Sequence, residues 1–169
     1  MKKSKFQNIE SNLLPKREEY LNSQQLVVEC EKLNMPISRK TIHNYIKEGI
    51  LPRPLHVAKE ALFHKEFVLG EIGAIHSLRS LFHVTHSDLK KLANNKYVDL
   101  HHIASAIYSK LSDLQETHIG KLKNRPFLVN IANEKVFQGL ASLYLEKVKN
   151  GDDPRQIDME KLVDRALAK

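Results

Sequence analysis

Residues 38–52 read Ser-Arg-Lys-Thr-Ile-His-Asn-Tyr-Ile-Lys-Glu-Gly-Ile-Leu-Pro, and this run leaves the backbone few choices. Ser38 is a helix-capping residue, whose side-chain oxygen takes one of the unpaired amide donors of a first turn. Gly49 supplies the left-handed stop that a β-carbon makes costly, and Pro52 stands where no helix continues. Between them lies a short helix with Ile42, Tyr45 and Ile46 on one face. Arg39, Lys40, His43, Asn44 and Lys47 fall largely on the others. Phosphate- and base-compatible groups on one side of a short helix are what reading a DNA major groove requires.

The neighbouring segments extend the pattern. Asn22 and Gln25 have the spacing of a capping box. The helix they open runs to about Lys32 and is expected to bury Leu26, Val27, Cys30 and Leu33, before Asn34-Met35-Pro36 breaks it. Two short helices around a tight turn make a helix-turn-helix. Residues 51–63 then read as a small hairpin or wing, because Pro52 and Pro54 forbid helix and Leu55 and Val57 alternate with polar neighbours.

Everything after the wing reads as helix. Phe67, Val68, Ile72, Ile75, Leu78 and Leu81 form a 3.6-residue stripe. Thr85 and Asp88 are a capping box for a helix that buries Leu89 and Leu92 and ends near Asn94-Asn95. From Asp99 to about Lys121, Leu100, Ile103, Ile107, Leu111 and Leu114 make a seam, and a lone amphipathic helix must bury its seam somewhere. That helix is therefore the expected dimerisation element. A further helix from about residue 126 or 129 to Lys149 should bury Val129, Val136, Phe137, Leu140, Leu143 and Tyr144. Asn150-Gly151-Asp152-Asp153-Pro154 is a turn, and Asp158 caps a last helix carrying Met159, Leu162, Val163, Ala166 and Leu167. The expected fold class is mainly α. A polar N-terminal arm (1–19) precedes a winged helix-turn-helix with a small β wing (20–95), and a helical dimerisation or partner-binding region (96–169) follows.

Charge agrees with a polyanionic partner. The chain carries 27 Lys+Arg against 20 Asp+Glu, a formal +7, and neutralised phosphates release counterions on binding. Residues 1–60 hold 11 basic and 7 acidic side chains, whereas residues 124–169 hold 8 and 7, so the excess sits with the candidate recognition helix. The lone Cys30 excludes an intramolecular disulfide, and no apolar run or signal-peptide pattern appears. The expected location is cytoplasmic, on the nucleoid. No phosphate-binding glycine loop, nucleophile elbow or paired acidic motif is present, so no catalytic activity is expected. Of the nine histidines, His83 and His86 are three apart and His101 and His102 are adjacent. Neither pairing has the spacing of a zinc site, so the expectation is no metal and no cofactor.

The run of helix, turn, Thr41-Ile42-His43-Asn44-Tyr45, Gly49-Ile50-Leu51-Pro52 and a wing ending in Phe63 resembles the MerR family of winged-helix transcription regulators. Phe82-His83-Val84-Thr85-His86-Ser87-Asp88-Leu89-Lys90 is similar to that family's turn into its fourth helix. The resemblance spans roughly residues 20–95. It implies a dimer that presents two recognition helices to a palindromic duplex site. The implied DNA-facing positions are Thr41, His43, Asn44 and Tyr45, with the tyrosine reaching a phosphate; the plainer role for Tyr45 is a core aromatic. Together with residues read from helix position and charge, the candidate contact set is Ser38, Arg39, Lys40, Thr41, His43, Asn44, Tyr45 and Lys47 from the helix, with Arg53, His56 and Lys59 from the wing. His43 stands where the family has arginine, and Ala61 and Leu62 replace the arginines before the wing aromatic. Further partners the C-terminal region is expected to offer sites for are RNA polymerase or a small-molecule or protein effector. The alternative is a helical scaffold that works through its C-terminal half, with architectural DNA binding or none. Phe127, Phe137, Tyr144 and Leu145 would line its partner groove instead of an ordinary bundle core.

Overall fold

The computed structural model describes residues 16–57, 59–122, 126–159 and 161–162, with the side chains of 114–137 outside the description. Most of the expected arm therefore lies outside the described residues. So do the side chains of Leu114, Phe127, Val129, Val136 and Phe137, and residues Val163, Ala166 and Leu167. The protein is mainly helical with a small three-stranded antiparallel sheet. It divides into two compact units, one through Ile72 and one from Gly73.

In the first unit a 3₁₀ turn at Arg17–Glu19 leads into β1 (Tyr20–Asn22), α1 (Ser23–Lys32), α2 (Arg39–Lys47), β2 (Leu55–Val57) and β3 (Glu60–His64). The helix α3 (Lys65–Phe82) begins here, and the division between units falls within it. The sheet order is β1-β3-β2. The hairpin pairs Leu55 with Leu62, His56 with Ala61 and Val57 with Glu60, while β1 pairs Tyr20 with His64 and Leu21 with Phe63. The expected hairpin over 51–63 is present, and β1 adds a third strand that three residues of sequence do not announce.

Asn22 joins these pieces. Its side-chain oxygen accepts the Gln24 and Gln25 amides at 3.0 and 2.9 Å, its amide donates to Gln25 Oε1 at 3.0 Å, and its Nδ2 donates to Glu60 Oε1 at 3.0 Å. The expected capping box thus forms and also ties α1 to β3. Leu26 and Cys30 are buried as expected, with Val27 half-buried. Leu33, expected inside, is 52% exposed because it is the C-cap of α1, where the apolar stripe has rotated away from the core. Ser38 accepts the Thr41 amide at 3.1 Å and starts α2 as expected. The helix ends with Gly49 at φ +75°, its amide on the Ile46 carbonyl and the Ile50 amide on that of Tyr45. This is a Schellman motif, in which two orphan carbonyls of the last turn are satisfied. Ile50 and Leu51 then enter the core with Leu26, Ile42, Tyr45 and Phe63.

The second unit contains the end of α3, then α4 (His86–Ala93), α5 (Leu100–Leu122), α6 (Pro126–Lys149) and a 3₁₀ turn at Pro154–Gln156. Thr85 caps α4 by accepting the Asp88 amide at 3.2 Å, and its hydroxyl donates to Asp88 Oδ2 at 2.8 Å. The Lys149 ammonium reaches Asp88 Oδ1 at 3.1 Å, joining α4 to α6. That packing places α4 in the second unit, whereas the sequence reading groups it with the winged helix. Leu81, expected on the buried stripe, is 50% exposed at the last turn of α3. Asn95 organises the next turn: its Oδ1 accepts the Tyr97 and Val98 amides, and its Nδ2 donates to the carbonyls of Val148 and Asp152. Tyr144, buried on α6, donates its hydroxyl to the Pro154 carbonyl at 3.1 Å, and burial pushes its pKa up to about 12.

Part of the expected dimer seam is covered within the chain. Leu100, Ile103 and Ile107 are buried within this one chain, where α5 packs against α6 and the 3₁₀ turn. Leu111 is half-buried. A hydrophobic stripe states that something covers it, and the later helices of the same chain do so. Tyr144 and Leu145 are likewise buried, as the ordinary bundle core would have them. No helix among the described residues is long and apolar enough to cross a membrane.

Candidate functional site

The candidate contact residues are organised by the packing of α2. Ile42 and Tyr45 are buried, the latter at 4% exposure, and they fix which way the helix faces. At about 100° per residue, Arg39, His43, Lys47, Lys40 and Asn44 follow one another around roughly 140° of the opposite arc. All of them are exposed. The core role for Tyr45 is the one its burial matches, so the tyrosine orients α2 from beneath. Ser38 and Thr41 are engaged locally: their hydroxyl oxygens are 2.9 Å apart and Ser38 caps the helix. They shape the start of α2, and the hydroxyl that does not donate in this pair keeps its O–H for an outside partner.

The hairpin brings a second set of cationic groups to the same place. Arg39 and His43 from α2 line an open groove of about 630 Å³ with Arg53 and His56 from the segment entering β2 and from β2 itself. Its floor is apolar, with Ile42, Ile46, Ala61 and Phe63 beneath those polar groups. Ser23, at the first turn of α1, also lines it. Ser23, Ile46 and Pro54 are lining residues that the sequence reading does not single out. The helical spacing places Ile46 near Arg39 and His43, but only the antiparallel register sets His56 across from Ala61 and so beside α2. Lys59 lies at the turn of the hairpin with φ +76°, exposed and away from this groove. The sequence-predicted set therefore separates into a groove group (Arg39, His43, Arg53, His56), an outward face (Lys40, Asn44, Lys47), a hairpin tip (Lys59) and structural residues (Ser38, Thr41, Tyr45).

Chemically, the groove offers two guanidiniums and two imidazoles with no carboxylate among its lining residues. Guanidinium presents a planar fork matched to phosphate, and imidazole adds a hydrogen bond with charge that depends on pH. Such a set is chemically suited to an anion. Cys30, the one thiol, is fully buried, and burial pushes its pKa up to about 11. Thiolate chemistry and soft-metal ligation both need an accessible, low-pKa sulfur.

Compared with protein-family models, with curated proteins and with solved structures, the chain finds no match.

Proposed function

We propose that the chain binds duplex DNA as a MerR-like transcription regulator, with the first unit acting as a winged helix-turn-helix. In this reading α2 enters the major groove and the β2–β3 hairpin lies on the flanking backbone. The convergence of Arg39 and His43 from the helix with Arg53 and His56 from the hairpin carries the proposal. Two separate elements contribute cationic groups to one groove, beside an exposed arc bearing Lys40, Asn44 and Lys47.

The roles divide by position. A phosphate lodged between α2 and the hairpin is held by Arg39 or Arg53, which orients the unit on the duplex but reads no sequence. Asn44 and Lys40 on the outward arc are placed for base edges, where Asn suits adenine and Lys suits guanine. His43 stands where the family has arginine and offers the backbone a ring N–H donor in place of a guanidinium fork. Leu100, Ile103 and Ile107 of α5 are covered by their own chain, so pairing at a palindromic site would draw on residues other than these three.

Fluorescence anisotropy with a labelled duplex at stepped salt tests the proposal, preceded by selection of bound sequences from a random pool. If Arg39, Lys47 and Arg53 all meet phosphates, log K should fall with log salt with a slope of roughly −3 per bound chain. No enriched motif together with a flat salt response defeats the reading.

A further inference from the structure

We propose that Asp99, His101 and His102, at the start of α5, form a binding site for a divalent transition-metal ion of the zinc class. The proposal is independent of the DNA-binding reading. Asp99 offers a carboxylate oxygen and each histidine one ring nitrogen, and these donor atoms all lie within 4.8 Å of one another. The two imidazole rings have centroids 3.9 Å apart with planes inclined by 39°.

Geometry allows closure on one ion. With metal–ligand bonds of about 2.0–2.1 Å, adjacent donors of a tetrahedral site are about 3.4 Å apart. The widest pair here must therefore close by at most about 1.4 Å, a distance that side-chain rotation covers without backbone movement. Asp99 and His102 are exposed, so their side chains can make most of this rotation about a half-buried His101. The backbone beneath them is anchored. The amides of His102 and Ile103 donate to the Asp99 carbonyl at 3.1 and 3.2 Å, and Leu100 and Ile103 of the same turn are fully buried.

The donor chemistry selects the class of ion. Two imidazoles with one carboxylate suit zinc, nickel or copper, whereas magnesium and calcium prefer all-oxygen shells. The positive end of the helix dipole opposes a cation here. The Asp99 carboxylate, which brings the negative charge to the set, offsets that repulsion. Three protein ligands leave at least one coordination position for water, so the site is an open, exchangeable one and differs from the closed four-ligand kind that holds a fold together. Sequence spacing hides this arrangement, because adjacent histidines on a helix ordinarily point about 100° apart; the conformation of the first turn brings them together.

Isothermal titration of the full chain with zinc chloride, and separately with magnesium chloride, tests the site. The expected result is one zinc ion per chain and no magnesium heat. Loss of an outer-shell partner alone costs 10–100-fold in metal affinity, so His102→Ala should weaken zinc binding by about tenfold or more. Asp99→Asn keeps the size of the side chain while removing its charge and should weaken binding similarly. His76→Ala, an exposed histidine on α3, should leave it unchanged. Metal-free melting curves of the variants should match the parent, and the Asp99→Asn result stands by itself if His102→Ala fails to fold. Absence of zinc binding in the parent overturns the proposal. So does binding that survives both ligand substitutions, or half an ion per chain, which would place the metal between two copies.

Discussion

Helices α2 and α5 look alike as sequence: each shows a clean apolar stripe and a face that invites a functional assignment. In α2 the stripe of Ile42 and Tyr45 packs into the first unit, and the polar arc of Arg39, Lys40, His43, Asn44 and Lys47 stays exposed. In α5 the stripe itself suggested an interface, yet Leu100, Ile103 and Ile107 are covered by later helices of the same chain. A polar arc is assigned by what it cannot do, which is enter a core. An apolar stripe can be covered by any neighbour, and periodicity does not say which.

The largest effect should come from the α5 stripe. Ile103→Ala removes buried methyl groups and should destabilise the protein by about 2–5 kcal/mol in chemical denaturation. The substitution should leave any concentration dependence of the midpoint unchanged; a concentration dependence present in the parent and lost in Ile103→Ala would return the seam to a dimer interface. The matching test on α2 is Arg39→Ala, which should leave stability nearly unchanged while weakening DNA binding. A base contact would appear as a loss of ~1–3 kcal/mol of discrimination at one position, and a phosphate contact as a uniform loss with the salt slope reduced by about 1. Unaltered affinity and slope would remove Arg39 from the interface.

Asn22→Ala comes next, because it takes away the cap of α1 and the bond to Glu60. Loss of about 1–2 kcal/mol is expected. Glu60→Ala, which breaks only the strand contact, should cost less, and equal losses would show that the cap contributes little. The smallest effect is pH-dependent and belongs to the second unit. The Thr85 hydroxyl, and then the Lys149 ammonium, hold the Asp88 carboxyl below the usual aspartate range. A depressed carboxylate pKa stabilises the fold above the unfolded value of about 3.9, and this is lost as pH falls through the folded value. The stability gap between the parent and Lys149→Met should therefore be present at neutral pH and shrink below about pH 4. A gap that persists in acid would assign the Lys149 effect to packing.

Legibility followed the range of the interaction. The Asn22 capping box, the Ser38 cap and the Gly49 stop each involve residues within a few positions of one another, and all appear where the sequence places them. The errors at Leu33 and Leu81 lie at helix ends, where one residue of drift turns a side chain outward. The strand Tyr20–Asn22 was not visible because three residues carry no period. Of the candidate site, the exposed arc of α2 was readable from its 3.6-residue repeat. The groove was not, since Arg53 and His56 join Arg39 and His43 only through the hairpin register.

By itself, then, the sequence determined the caps, the turns, the mainly helical character and the sidedness of α2, because those depend on local backbone preferences and on keeping charge in water. Tertiary structure decided which stripe is covered by which element, the union of α2 with the hairpin in one groove, and the approach of Asp99, His101 and His102. Each of these depends on positions in space that chain neighbours do not specify, and burial in a close-packed core is what selects among them.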